Sequence, residues 1–195
     1  MSRYATTDLH GCLHTFRYLV EEELRLTRDD ELYLLGDYVN KGPDSRGVLD
    51  YLMQLQASGY RVQCLRGNHD QALLDGARHR WRWDWLGPRG RLPTLRSFGV
   101  ARLAYIPDHY LDWVAALPYE IELPDVVLVH AGYNFALPAA NALARQRRIA
   151  VNQDGQNLVV VAFVLVLDFG AHEALHHRVH GLKVRGIGGQ LEVDF

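Results

Sequence analysis

Apolar residues in the N-terminal half fall alternately into short strand-type runs and stretches with helical spacing, the pattern of βαβ units around a covered sheet. Arg3 to Thr7 reads as a strand. Leu13, Phe16, Leu19, Val20 and Leu24 then recur at the intervals of an amphipathic helix over Leu13 to Leu26. Strand type returns at Glu31 to Leu35. A helix is predicted over Ser45 to Gln56, with Val48, Leu49, Leu52 and Leu55 on one stripe and Ser45 placed to cap it. A third strand follows at Arg61 to Leu65. Tyr110 to Leu117 is helical by pattern, and Ile121 to Leu123 and Val126 to Val129 are strand candidates around Pro124 and Asp125. The apolar run Leu158 to Leu167 reads as a buried strand.

Three polar blocks sit in the loops that follow the first three strands, where open α/β sheets place their ligands. They are Asp8-Leu9-His10-Gly11, Gly36-Asp37 continuing to Asn40-Lys41-Gly42-Pro43, and Arg66-Gly67-Asn68-His69-Asp70. A fourth, His130-Ala131-Gly132, closes the strand ending at Val129. The first three lie about 30 residues apart, the length of one βαβ unit. Any one of these short motifs alone would be an ordinary solvated loop or cap; four in strand context argue for a site. Carboxylate, imidazole and amide oxygen together suit borderline divalent ions better than calcium, which prefers oxygen alone. One carboxylate can bridge two ions about 3.5 to 4 Å apart, and such a pair clamps a phosphoryl group and lowers the pKa of a bridging water.

These residues resemble the calcineurin-like metallophosphoesterase family, and within it the branch of bacterial serine/threonine-type phosphatases and symmetric diadenosine tetraphosphate hydrolases. The resemblance runs from about Arg3 to Phe135. It implies a layered β-sandwich core flanked by helices, of four-layer type. It also implies that Asp8 and His10 hold a first metal, that Asp37 bridges, and that Asn68 and His130 hold a second. His69 would be the general acid, with Arg66 and Lys41 binding phosphate oxygens. Mn²⁺ is the expected ion, with Fe²⁺, Zn²⁺ or Ni²⁺ as alternatives.

The chain departs from the family pattern at two places. Asn40 stands where an aspartate would orient and charge-stabilise the general-acid histidine; an amide cannot supply the negative charge that keeps His69 protonated. A Gly-His-Thr-type motif that would supply a last metal ligand is missing, and Gly170-Ala171-His172 is the nearest substitute, with His176, His177 and His180 as competitors. The pairs His172/His176 and His176/His180 fall at i, i+4 spacing, which also fits a solvated helix face. Lys41 replaces the family's arginine, keeping the charge but losing the bidentate fork.

Composition narrows the remaining choices. At 195 residues, 48% hydrophobic and 23% charged, the chain fits one folded domain spanning residues 1 to 195. A formal charge of -2 offers no broad basic field, so long nucleic acid is not an expected partner. Cys12 and Cys64 give no disulfide framework, and no leader or membrane-length run is seen, so a cytoplasmic protein with free thiols is expected. A segment at about 78 to 98 interleaves Trp81, Trp83 and Trp85 with arginines. It is read as a cap beside the site, its tryptophans serving packing or base stacking. The functional expectation is hydrolysis of phosphate monoesters, on phosphoproteins or small phosphorylated compounds. The alternatives are symmetric diadenosine polyphosphate hydrolysis, a metal- and phosphate-binding module without turnover, and a nucleic-acid phosphodiesterase.

Overall fold

The computed structural model describes residues 2–79, 87–124, 126–130 and 158–161. Strands β1 (Arg3–Thr6), β2 (Glu31–Leu34) and β3 (Arg61–Cys64) form a parallel sheet in the order β1-β2-β3. Their connections are α1 (Leu13–Tyr18) and α2 (Ser45–Ala57), so the predicted βαβ alternation is present. Beyond β3 come α3 (Asn68–His79), α4 (Gly87–Phe98) and α5 (Asp108–Ala116). A second sheet follows, β4 (Glu120–Glu122), β5 (Val126–Val129) and β6 (Leu158–Val161), with β4 antiparallel and β6 parallel to β5.

The period-two alternation of a strand divides β2 between two cores. Leu32 and Leu34 point to one face and pack with Phe16, Val48, Leu49, Leu52, Leu73 and Val114 from the helices. Tyr33 and Leu35 point to the other and meet Leu65, Ile121 and Leu128. Helices therefore cover one face of the first sheet and the second sheet covers the other, giving a layered α/β sandwich among the described residues.

Local differences from the predicted elements have physical causes. The helix expected over Leu13 to Leu26 holds α geometry only to Tyr18 and widens to a π-helix over Leu19–Glu23, with Leu24 N–H donating five residues back to the Leu19 carbonyl at 2.8 Å. It ends at Arg25, whose φ of 46° is left-handed. Ser45 is not the cap of α2. Asp44 holds that place, its carboxylate accepting from Gly47 N–H at 2.8 Å, while Ser45 lies fully buried and turns its hydroxyl toward the site. The far part of the predicted strand, 162–167, is outside the described residues, as are Trp81, Trp83 and Trp85.

Candidate metal centre

The loops after β1 and β2 are stitched side by side by their backbones, and the loop after β3 is tied to them through the Asp37 and Asp70 carboxylates. Asp8 N–H donates to the Gly36 carbonyl at 3.1 Å, His10 N–H to Asp37 at 2.8 Å, Gly11 N–H to Tyr38 at 2.8 Å, and Gly42 N–H to His10 at 2.7 Å. Asp8, His10, Asp37, Asn40 and Lys41 all adopt positive φ, between 42° and 72°. Left-handed non-glycine residues are uncommon, and their concentration here marks a place where the fold holds unfavourable backbone to aim side chains. Gly67 is needed for contact: a Cβ there would overlap the Asp37 carboxylate.

Two groups of donor atoms, each within 4.8 Å of one another, share Asp37: one has His10 and His69, the other Asp8 and His130. Asp37 thus occupies the centre, as a bridging carboxylate would. His10 Nε2 lies 3.4 Å from Asp8 Oδ2 and 3.7 Å from Asp37 Oδ2, and His130 Nε2 lies 3.4 Å from Asp37 Oδ1 and 2.9 Å from Asn68 Oδ1. Asp8, His10, Asp37, Asn68, His69 and His130 are therefore brought together. His172 lies outside the described residues, as do His176, His177 and His180.

The three histidines differ in what holds the ring. His10 Nδ1 is 3.0 Å from the Val39 carbonyl and His130 Nδ1 is 2.7 Å from the Leu35 carbonyl. A carbonyl only accepts, so each ring carries its proton on Nδ1 and presents the Nε2 lone pair to the centre, the tautomer that metal-ligating histidines use. His69 Nδ1 instead faces the Asn40 amide nitrogen at 3.3 Å. The Asn40 amide oxygen is taken by the Thr94 hydroxyl at 2.9 Å, so the NH₂ end points at His69. An N–H donated to Nδ1 leaves the ring proton on Nε2, 3.9 Å from Asp37 Oδ2. His69 therefore offers a proton where His10 and His130 offer lone pairs.

Charge balance follows from burial. Burial, with Asp8 nearby, pushes Asp37 up to about 7. Burial alone would raise Asp8 too, but hydrogen bonds from His10, when its ring is protonated at Nε2 as well, and from Thr7 hold it below its ordinary range. In His10 burial is outweighed by the Asp8 and Val39 hydrogen bonds, and its pKa rises. His69 is pushed down to about 3, first by burial and then by His10 and Lys41. A proton-neutral ring at His69 agrees with the amide donated to it.

Lys41 Nζ sits 2.7 Å from His10 Nε2, so its ammonium is at the centre. The Arg66 guanidinium has other partners. Its terminal nitrogens donate to Gln71 Oε1 and the Tyr119 hydroxyl, both at 2.9 Å, and to the Ala115 and Leu117 carbonyls at 2.6 and 2.9 Å. Its Nε is buried without a partner. All four terminal N–H groups are spent on tying the β3 loop to α3, to the end of α5 and to the α5–β4 connection, and none is left over for a phosphate oxygen in this arrangement.

Two residues without a predicted role support the centre. Asp70, fully buried, accepts the backbone N–H groups of Asp37, Tyr38 and Gly67 at 2.8, 2.9 and 2.9 Å. Thr94, on α4 and also fully buried, reaches Asn40 across 54 residues of sequence. Its sequence signal is faint: a hydroxyl four residues before Phe98 on the buried stripe of a helix. The Lys41 N–H also donates to the Gly90 carbonyl at 3.2 Å, so the described part of the 78–98 segment borders the site.

The calcineurin-like phosphoesterase family model matches residues 1–189. The chain belongs to that family. Curated relatives include the symmetrical bis(5'-nucleosyl)-tetraphosphatase of Pseudomonas putida (strain W619), 36% identical over 68% of this chain and 42% of the relative. The enzyme of the same name from Chromohalobacter salexigens is 38% identical over 68% of this chain and 45% of the relative. The chain spans about half the length of such relatives or less. Among solved structures, a cold-active protein-tyrosine phosphatase from Shewanella matches with a TM-score of 0.54 at 20% identity, over 76% of this chain and 49% of that one, which supports the fold. Among the described residues no helix is long and apolar enough to cross a membrane.

Proposed function

We propose that this chain is a phosphoesterase that works with two divalent ions gathered around Asp37, Mn²⁺ foremost and Fe²⁺, Zn²⁺ or Ni²⁺ as alternatives. The observation that carries the reading is the pair of oriented imidazoles. His10 and His130 each have Nδ1 tied to a backbone carbonyl and Nε2 turned toward one shared, buried carboxylate. Asp8 and His10 on one side and Asn68 and His130 on the other would hold the ions, and the mixed oxygen and nitrogen donor set fits borderline divalent metals. Such ions supply Lewis acidity for polarising a phosphoryl group and for activating water at neutral pH. The Lys41 ammonium would neutralise phosphate oxygens, and His69 Nε2–H would donate to the departing oxygen.

The His69 environment favours one substrate class over another. With Nδ1 held as an acceptor, the ring donates a hydrogen bond but cannot become an imidazolium without expelling the Asn40 amide. An alkoxide leaving group needs a full proton. A phosphate leaving group, with a second ionisation near about 6, departs as an anion. Phosphoanhydrides such as dinucleoside tetraphosphates therefore suit the site better than phosphoserine-type monoesters, a reading supported by the names of its relatives. Cys12 and Cys64, both free thiols, support placement in the cytoplasm.

The test is product release from diadenosine tetraphosphate and from phosphoserine, a monoester with an alkoxide leaving group, by the purified chain with Mn²⁺. Adenosine diphosphate formation exceeding monoester hydrolysis is expected. Metal binding with no turnover of either compound would replace the enzyme by a binding module, and faster monoester hydrolysis would restore the phosphatase reading.

A further inference from the structure

The hydrogen bonds around Asn40 admit one consistent ordering of protons. Asn40, Ser45 and Thr94 are all fully buried. The Asn40 backbone N–H lies 3.0 Å from Thr94 Oγ1 and 3.1 Å from Ser45 Oγ, and the two hydroxyl oxygens are 3.0 Å apart. In one direction Ser45 donates to Thr94, Thr94 donates to Asn40 Oδ1, and Asn40 Nδ2 donates to His69 Nδ1. Both buried hydroxyl protons in that chain then have acceptors. In the reverse direction Asn40 Nδ2 donates to Thr94 and Thr94 donates to Ser45. The Ser45 proton is then stranded, since no third acceptor faces its hydroxyl among the described contacts. A buried donor left unmade costs about 1 to 3 kcal/mol, enough to fix the order.

We infer that Thr94 is the positioning residue for His69: by donating to Asn40 Oδ1 it holds the amide so that its NH₂ end occupies His69 Nδ1 and the ring proton stays on Nε2, facing the centre. This rests on the proposed phosphoesterase reading only for its consequence in turnover. The proton position itself is a property of the folded chain. It also makes α4, a helix on the far side of the sequence from the motif loops, part of what chooses the leaving group.

The experiment compares the full-length chain with Thr94→Val, Thr94→Ala and Thr94→Ser, all loaded with diamagnetic Zn²⁺. The ¹⁵N spectra of the His69 ring, assigned through His69→Gln, read the tautomer. Turnover of diadenosine tetraphosphate is measured in parallel. Wild type and Thr94→Ser should show a single Nε2–H tautomer. Thr94→Val should show a mixed or reversed tautomer and a kcat on the dinucleotide roughly tenfold lower with KM little changed, as one lost orienting hydrogen bond implies. Thr94→Ala serves the same purpose should valine fail to fit, and a circular-dichroism melt of each variant establishes that it is folded. An unaltered tautomer in a folded Thr94→Val or Thr94→Ala chain would overturn the inference, as would Thr94→Ser losing the tautomer with them. If the wild type turns over neither substrate, the enzymatic reading fails while the spectra still decide the role of Thr94.

Discussion

The lone-pair side of the centre and its proton side are held by different means. His10 and His130 hang from the carbonyls of Val39 and Leu35, backbone groups fixed by the strands and by the stitched loops beside them. His69 is held through a side-chain amide, which is itself set by a hydroxyl from another helix. Backbone orientation comes with the fold and survives most substitutions. Side-chain orientation depends on each member of the chain being present, so the proton side is the one that a single substitution can retune.

The sharpest way to break this comparison is to remove what both sides share. Asp37→Asn takes away the central carboxylate charge, worth several kcal/mol to a metal-assisted reaction, and should lower turnover about a thousandfold in steady-state assays. A variant retaining a tenth of wild-type activity would show that the two donor groups do not act as one centre.

The pH dependence of the metal-free chain is the next largest effect. Against His69, pushed down to about 3, and Asp8, also lowered, which act in the opposite sense, Asp37, pushed up to about 7, Asp70, pushed up to about 6, and His10, also raised, bind protons more tightly folded than unfolded. Their contribution to stability is fully present below their unfolded values and is lost as pH rises through the folded ones. Urea denaturation in the presence of a chelator should therefore show stability falling as pH climbs toward about 7, and added Mn²⁺ should restore most at the highest pH. A chelated chain gaining stability over that interval would contradict the buried, proton-binding centre.

Asp70→Asn tests how far backbone orientation is itself supported. Asparagine has one acceptor oxygen and must turn an NH₂ group toward some of the three backbone donors that Asp70 now receives. A loss of about 3 kcal/mol in urea denaturation is expected, together with weaker metal binding. Arg66→Ala, with the smallest effect, should cost about 2 kcal/mol in the same measurement while leaving KM within about twofold. A large rise in KM at unchanged stability would return Arg66 to the role of phosphate ligand.

The parts of this design that were readable from sequence are those tied to strand ends. Asp8, Asp37 and His130 come just after strands whose apolar periods are plain, so the sheet that orders the strands also gathers the loops. The stripe Val48, Leu49, Leu52 and Leu55 is buried because helical period and burial are the same signal. Ser45 reads as a cap because serine at a helix start commonly caps; Asp44 competes for that place and wins with a charge-assisted bond. Arg66 reads from sequence as a phosphate ligand, but a guanidinium fork fits two carbonyls as well as a phosphate, and here it holds the carbonyls. Thr94 leaves only a faint signal because its partner lies 54 residues away and no local spacing encodes the contact.

The most direct test of the shared centre is metal stoichiometry, measured by elemental analysis after Mn²⁺ loading and gel filtration of the wild type, His10→Ala and Asp37→Asn. The account predicts two ions per wild-type chain, one in His10→Ala and none retained by Asp37→Asn. An Asp37→Asn chain that keeps both ions would contradict it.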